Sequence, residues 1–292
     1  MTLYDQADSN IRKTWFLITG FLIFIIALGY LFSQVLDSYI ILILAVVISV
    51  SISITSYWKS DTIVLKSFNA SPIEKKDNPE LYRIVENLSI TAGLPIPKIF
   101  IIESEQPNAF ATGRDPEHAV IAVTSGLLKK LKKAELEGVI AHELSHIGNR
   151  DILLGTVIVI LVGTIALLSD LFLRVGLGKK RSNKGGSVSI TIAAIAAILA
   201  PLAAGIMRFA ISRKREYLAD SSGALLTRYP EGLARALEKI SSDQNVLKQA
   251  KNNTAHLFIS SPLKEKKKGI MSGLFMTHPP IEERVRLLRE MK

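Results

Sequence analysis

The chain has 292 residues, 48% of them hydrophobic, with a mean hydropathy of +0.29, a formal charge of +10 and no cysteine. That length allows a sizeable core, while the lack of cysteine excludes disulfides and thiolate metal sites and leaves His and carboxylate as metal ligands. The positive charge forms no basic run interleaved with aromatics, so no nucleic-acid partner is expected and a lipid surface explains it more simply.

The apolar residues gather in four blocks. Residues 14–32 and 39–57 carry no charge, and each is long enough to cross about 30 Å of hydrocarbon as a helix. Arg12 and Lys13 ahead of the first block, with Ala27-Leu28-Gly29 inside it, resemble a secretory leader, but the second span follows so closely that an uncleaved anchor is expected. The connecting residues 33–38 hold no Lys or Arg, whereas Lys59, Lys66, Lys75 and Lys76 follow the second block. The positive-inside rule therefore places both flanks of this hairpin in the cytoplasm.

A segment of soluble character comes next. Residues 80–92 show an amphipathic helix with Leu81, Ile84, Val85 and Leu88 on one face, ended by Gly93. Residues 98–102, 109–111 and 119–123 read as short strands, punctuated by Pro107-Asn108 and Asp115-Pro116, and 125–131 as a short helix. From Ala134, the acids Glu135 and Glu137 and the apolar positions Leu136, Val139, Ile140, Leu144 and Ile147 specify a partly buried helix.

That helix carries His142-Glu143-Leu144-Ser145-His146. Positions i and i+4 share a helix face, so both imidazoles reach one ion at about 2.0–2.1 Å, as in a catalytic zinc site. Glu143 then stands beside the metal, where a carboxylate can take a proton from the attacking water and return it to a leaving amine. A polar helix with two hydrogen-bonded histidines is the plainer alternative, and the apolar flanks speak against it.

The other two apolar blocks, 152–173 and 188–211, follow directly, separated by a Gly-, Lys- and Ser-rich loop over 176–187. Arg174, Lys179, Lys180, Arg181 and Lys184 would lie outside if both blocks cross, against the positive-inside trend; a hairpin only partly entering the bilayer avoids the conflict. Residues 216–226, 230–240 and 281–291 then read as helices.

A catalytic zinc needs a third protein ligand. If 152–211 forms a hairpin, residues equally far from its ends return to similar heights, and Glu216 faces His146 across packed helices about 8–10 Å apart. Asp220, one turn later, suits the other ring N–H of a ligating histidine. Both acids could instead pair with Arg213 and Arg215 at the surface. His118, His256 and His278 remain rival ligands; His118 follows a turn and is expected to be exposed, and nothing around His256 suggests a site.

His142-Glu143-Leu144-Ser145-His146, Arg215-Glu216-Tyr217-Leu218-Ala219-Asp220 and Thr277-His278-Pro279-Pro280-Ile281-Glu282-Glu283-Arg284 together resemble the HtpX group of membrane zinc endopeptidases, relatives of the CAAX prenyl proteases. The resemblance implies one Zn2+ per chain on His142, His146 and Glu216, with Glu143 as general base. It also implies that Asn108, Ala109, Phe110 and Ala111 form an edge strand that pairs with substrate, and that His278 and Arg284 steady the oxyanion. An ordinary strand, a loop histidine and a surface arginine are the plainer readings of those positions. The implied task is cleavage of misfolded or damaged membrane proteins under stress, in a bacterial or archaeal inner membrane.

The expected fold is a mainly α integral membrane protein with four hydrophobic helices and a cytoplasmic α+β zincin-like protease domain with a small sheet. Its parts are two N-terminal transmembrane helices (1–57), the first protease part (58–151), a hydrophobic hairpin (152–211) and the second protease part (212–292). The expected partners are polypeptides and the bilayer. Two other functions compete. A CAAX-type processing enzyme would need more spans around a chamber, and an inactive membrane adaptor would want polar residues along its spans, which the first two blocks lack.

Overall fold

The computed structural model describes residues 3–35, 37–178, 205–206, 213–247, 249–250, 254–262 and 279–291. Two long antiparallel helices open the chain, α1 (Leu3–Val35) and α2 (Tyr39–Trp58). A third long helix, α7 (Asp151–Gly178), begins just after the HExxH motif. Among the described residues, three stretches, Ala7–Gln34, Tyr39–Trp58 and Asp151–Asp170, are long and apolar enough to cross a membrane. Nearly all of the fourth block, 188–211, lies outside the described residues.

The membrane helices are packed unequally. Leu17, Ile18, Phe21 and Ile25 of α1 interlock with Leu153, Leu154, Val157, Ile158, Leu161 and Ile165 of α7. By contrast, α2 leaves Ile40, Ile43, Leu44, Val47 and Ile54 exposed, an apolar face suited to lipid tails. At one end of this group Trp15 stacks on Tyr57 with centroids 5.4 Å apart, and the Arg114 guanidinium lies 4.7 Å from the Trp58 ring centre. Amphipathic aromatics at one level mark a membrane–water boundary.

The polar part of the chain folds beside that end. A short helix, α3 (Ser60–Ser67), which the sequence pattern did not announce, leads into β1 (Ser71–Pro72). Helix α4 (Pro79–Ala92) starts where Asn78 accepts from the Leu81 N–H at 3.0 Å and stops at Gly93, whose φ of 65° is left-handed. The strands β2 (Lys98–Ile102), β3 (Ala109–Thr112) and β4 (Val120–Thr124) fall where expected. With β1 they form one sheet in the order β1-β2-β4-β3, in which β2 runs parallel to β4 and β3 antiparallel to it. Among the described residues β3 is thus an edge strand.

Next come α5 (Ser125–Lys130) and the motif helix α6 (Lys133–Gly148), whose first turn is held by the Glu135 carboxylate accepting from the Lys132 N–H and from Lys239 Nζ, each at 2.7 Å. Beyond α7 follow α8 (Arg213–Thr227), α9 (Pro230–Ser242) and α10 (Ile281–Glu290). One core joins α4, the inner face of the sheet, α6, α8, α9 and α10 through residues such as Leu81, Ile121, Val139, Leu144, Ala224, Leu237 and Leu288. Residues from both sides of α7 therefore build one body, a mainly α fold with a small mixed sheet on membrane helices.

Candidate metal centre

Helix α6 is the central strut. Its apolar positions face the core, so His142 is completely buried, Glu143 nearly so, and His146 emerges one turn later toward α7. Helix α8 crosses it at very short range. A Cβ placed on Gly223 would lie 3.0 Å from the His142 backbone nitrogen, so a residue without a side chain is what lets α8 approach there.

That approach brings three donors together. His142 Nε2 and His146 Nε2 are 3.1 Å apart, and Glu216 offers Oε2 at 4.0 Å from the first and Oε1 at 3.7 Å from the second. Two ligands at about 2.05 Å in a tetrahedral site are separated by about 3.3 Å, inside this spread. The donor set thus fits a small divalent cation, and His142, His146 and Glu216 form a metal-competent group.

Each histidine is backed by a carboxylate. His142 Nδ1 lies 3.0 Å from Asp220 Oδ1, off the line of a straight hydrogen bond, and Asp220 receives both Nε and Nη2 of Arg284 at 2.8 and 2.7 Å. Arg284 also donates to the Ile259 carbonyl at 2.9 Å. His146 Nδ1 stands 2.9 Å from Asp151 Oδ2, at the start of α7. Holding Nδ1 in this way leaves Nε2 of each ring for the metal.

Charge is distributed unevenly. Burial, reinforced by the charge of His146, holds the His142 imidazole below its ordinary value despite Asp220. Burial acts the same way on His146, but Asp151, Glu216 and Glu143 outweigh it and push that ring up to about 9. Glu143 is raised to about 7, first by burial and then by Glu216, against a hydrogen bond from the Ala111 N–H. Burial would also raise Asp220, yet Arg284 overrides it and holds the carboxyl at about 2.

A small cleft of about 50 Å³ opens onto these groups, lined among others by Ala111, Glu143, Arg215, Glu216 and His256. Of the four strand residues singled out from the sequence, only Ala111 borders it. Phe110 is buried against Phe68 and Phe258, Asn108 donates from Nδ2 to the Ser260 carbonyl at 2.9 Å, and the Ala109 carbonyl accepts from the Ile259 N–H at 3.0 Å. Part of the β3 edge is therefore already paired within the chain.

Arg284 does not line the cleft. Its guanidinium is fully buried behind Asp220, with Nη1 3.8 Å from Glu216. His278 lies outside the described residues, and His118 is exposed beside Asp115 as its turn suggested. Sequence reasoning passes over Asp151, and it names His256 only as a rival ligand with nothing around it to suggest a site, whereas His256 borders the cleft. Asp151 follows His146 by five residues across a turn in which Arg150 has a φ of 57°, so helical periodicity could not reveal it; His256 meets the site through a hydrogen-bond contact with the Gly155 carbonyl at 3.1 Å, which local sequence does not encode.

The model of peptidase family M48 matches residues 75–292. Protease HtpX homologs from Thermoanaerobacter pseudethanolicus and Dictyoglomus turgidum are 45% and 46% identical, over 99% of this chain and 98% and 95% of their own lengths. A crystal structure of S. mikatae Ste24p is similar in fold, with a TM-score of 0.51 at 21% identity, over 98% of this chain; this chain spans 66% of the length of that one. With a matching family model across three-quarters of its length and full-length relatives of this identity, the chain belongs to peptidase family M48, as a membrane metalloprotease of the HtpX type.

Proposed function

We propose that this protein is a zinc endopeptidase that hydrolyses polypeptides at the cytoplasmic surface of the cell membrane, with misfolded or damaged membrane proteins as its substrates. The observation that carries this reading is the convergence of His142, His146 and Glu216 beside Glu143, at the junction of a polar body with membrane helices. Two imidazoles and one carboxylate form a donor set typical of catalytic zinc, and a mononuclear iron oxygenase would leave Glu143 without a task. Zinc bound there supplies Lewis acidity and an acidified water.

The chain's own residues do the rest. Glu143, raised to about 7 by burial, accepts the proton of the attacking water and delivers it to the departing amine. The Ala111 N–H orients that carboxylate, and the cleft-lining end of β3 beside it accepts an extended substrate segment. Asp220 and Asp151 fix the histidine rings, and Arg284 clamps Asp220 instead of meeting the oxyanion. For His278 the family resemblance implies a role near the oxyanion.

Topology supports the location. Five residues, or about 7.5 Å of helix, separate Trp15 from Asn10, which touches the Asp151 carboxylate behind His146, so the site stands close above the aromatic level. The basic flanks Arg12, Lys13, Lys59 and Lys66 lie on that side, while residues 33–38 hold no Lys or Arg, which favours a multi-pass protein with a cytoplasmic site. The division at 1–57, 58–151, 152–211 and 212–292 follows the same logic, with one metal site assembled from the second and fourth parts.

The test is metal content alongside cleavage of an unfolded membrane protein by wild type and Glu143→Gln. Glu143→Gln keeps one zinc per chain and loses cleavage by at least about 10²–10⁴-fold; undiminished cleavage by that variant would refute the assignment. A prenylated peptide as parallel substrate separates this reading from CAAX-type processing, which predicts preference for the lipidated peptide.

A further inference from the structure

Asn10 is a fully buried amide on α1, a helix whose neighbouring inward positions are Leu17, Ile18 and Phe21. Its Nδ2 donates to Asp151 Oδ1 at 2.6 Å and to the Asn149 carbonyl at 3.0 Å. Its own carbonyl accepts from the Thr14 hydroxyl at 2.9 Å, and its Oδ1 has no hydrogen-bond partner. Burying an amide oxygen unpaired is unfavourable, so helix packing alone does not favour Asn at this position. What the side chain does supply is two donor bonds, both to the turn that joins α6 to α7.

One of those bonds ends on a carboxylate with two duties. Asp151 Oδ2 faces His146 Nδ1 at 2.9 Å, while Oδ1 is shared between Asn10 and Arg215, whose Nη1 is 3.6 Å away. Without Asn10, the carboxylate is free to rotate toward the Arg215 guanidinium, and His146 loses the fixed acceptor that sets its tautomer. We propose that Asn10 is a positioning residue of the metal centre, acting through Asp151 to hold His146 for the metal. The first membrane helix is then part of the active centre as well as an anchor. This inference rests on the reading of His146 as a metal ligand.

The experiment measures the Zn2+ affinity of the purified full-length protein in detergent, by competition with a chelator, for wild type, Asn10→Ala, Asp151→Ala, the double variant and His146→Ala. Asn10→Ala is expected to weaken zinc binding about tenfold and Asp151→Ala about 10–100-fold, the range for outer-shell partners of ligating histidines. If Asn10 works through Asp151, the double variant binds no more weakly than Asp151→Ala alone. Asn10→Leu, close in shape, keeps α1 packed against α7 and gives the same loss should Asn10→Ala fail to fold. Ile23→Ala, on the exposed face of the same helix, leaves affinity unchanged. Wild-type affinity in both Asn10 variants, or losses that multiply in the double variant, would overturn the proposal. If His146→Ala abolishes binding while the Asn10 variants do not weaken it, this inference alone fails; if His146→Ala binds normally, the ligand reading fails with it.

Discussion

His142 and His146 share a residue type, a helix and a helix face, yet they are backed by different regions. Behind His142 stands the helical body, where Asp220 and Arg284 form a pair wholly removed from water. Behind His146 stands the membrane junction, where Asp151 begins α7 and meets Asn10 of α1. The two rings differ in charge accordingly, His142 held low and His146 raised to about 9. Position on a helix decides that two side chains can meet a metal; the regions packed against them decide the protonation state in which each waits.

The largest expected effect comes from breaking the pair behind His142. Arg284→Met leaves Asp220 as an uncompensated buried carboxylate and should cost about 3–5 kcal/mol, read by urea unfolding in detergent. The wild-type pair has a defined pH window. The folded Asp220 value of about 2 lies below its ordinary 3.8, so the contribution is fully present above about pH 4 and is lost as pH falls through about 2. The gap between wild type and Asp220→Asn should therefore close over that interval. A gap that persists unchanged to pH 2 would show that Arg284 is not what holds the carboxyl down.

Gly223→Ala tests the helix crossing that both regions depend on. Its added methyl meets the His142 backbone at 3.0 Å and should cost about 1–3 kcal/mol, with weaker zinc binding, since neither backbone can yield freely. Unchanged stability and zinc affinity would mean that the crossing has slack.

The charge difference between the histidines is checked by counting protons. With His146 raised to about 9 and His142 held below its ordinary value, binding Zn2+ at pH 8 should displace a proton from His146 and none from His142, and apparent affinity should fall as pH drops below about 9. Calorimetry in buffers of different ionisation enthalpy measures the release. Zero protons released would erase the distinction between the two sides.

The smallest effect belongs to Arg289, whose bonds to Glu231 and Glu238 lie at the exposed surface. Arg289→Ala should leave zinc content and unfolding unchanged within error, because exposed ion pairs are screened. A marked loss would extend the stabilising region behind His142 to the surface of α9 and α10.

Much of this architecture is legible along the chain. The uncharged runs announce α1 and α2, the helix over 80–92 was expected to stop at Gly93 as it does, and the spacing of His142 and His146 with Glu143 needs only a helix to become a metal face. Glu216 followed from the symmetry of the hairpin and from the family resemblance, and its carboxylate does lie beside both imidazoles. The family resemblance implies that Arg284 steadies the oxyanion, whereas packing turns its guanidinium toward Asp220 and Ile259.

Sequence by itself determined the features that depend on neighbours within a turn or two: the helices, the short strands, the apolar spans and the pair of histidines with their glutamate. Only the tertiary structure decided which acid backs which ring, that His256 borders the cleft, that the β3 edge is partly paired, and that a membrane helix reaches the metal centre. The bonds responsible join residues far apart in the chain, 141 positions between Asn10 and Asp151 and 64 between Asp220 and Arg284. Periodicity carries information over the length of one element, whereas hydrogen-bond partners across the core are set by how elements pack, and that is fixed only when the whole apolar surface is buried together.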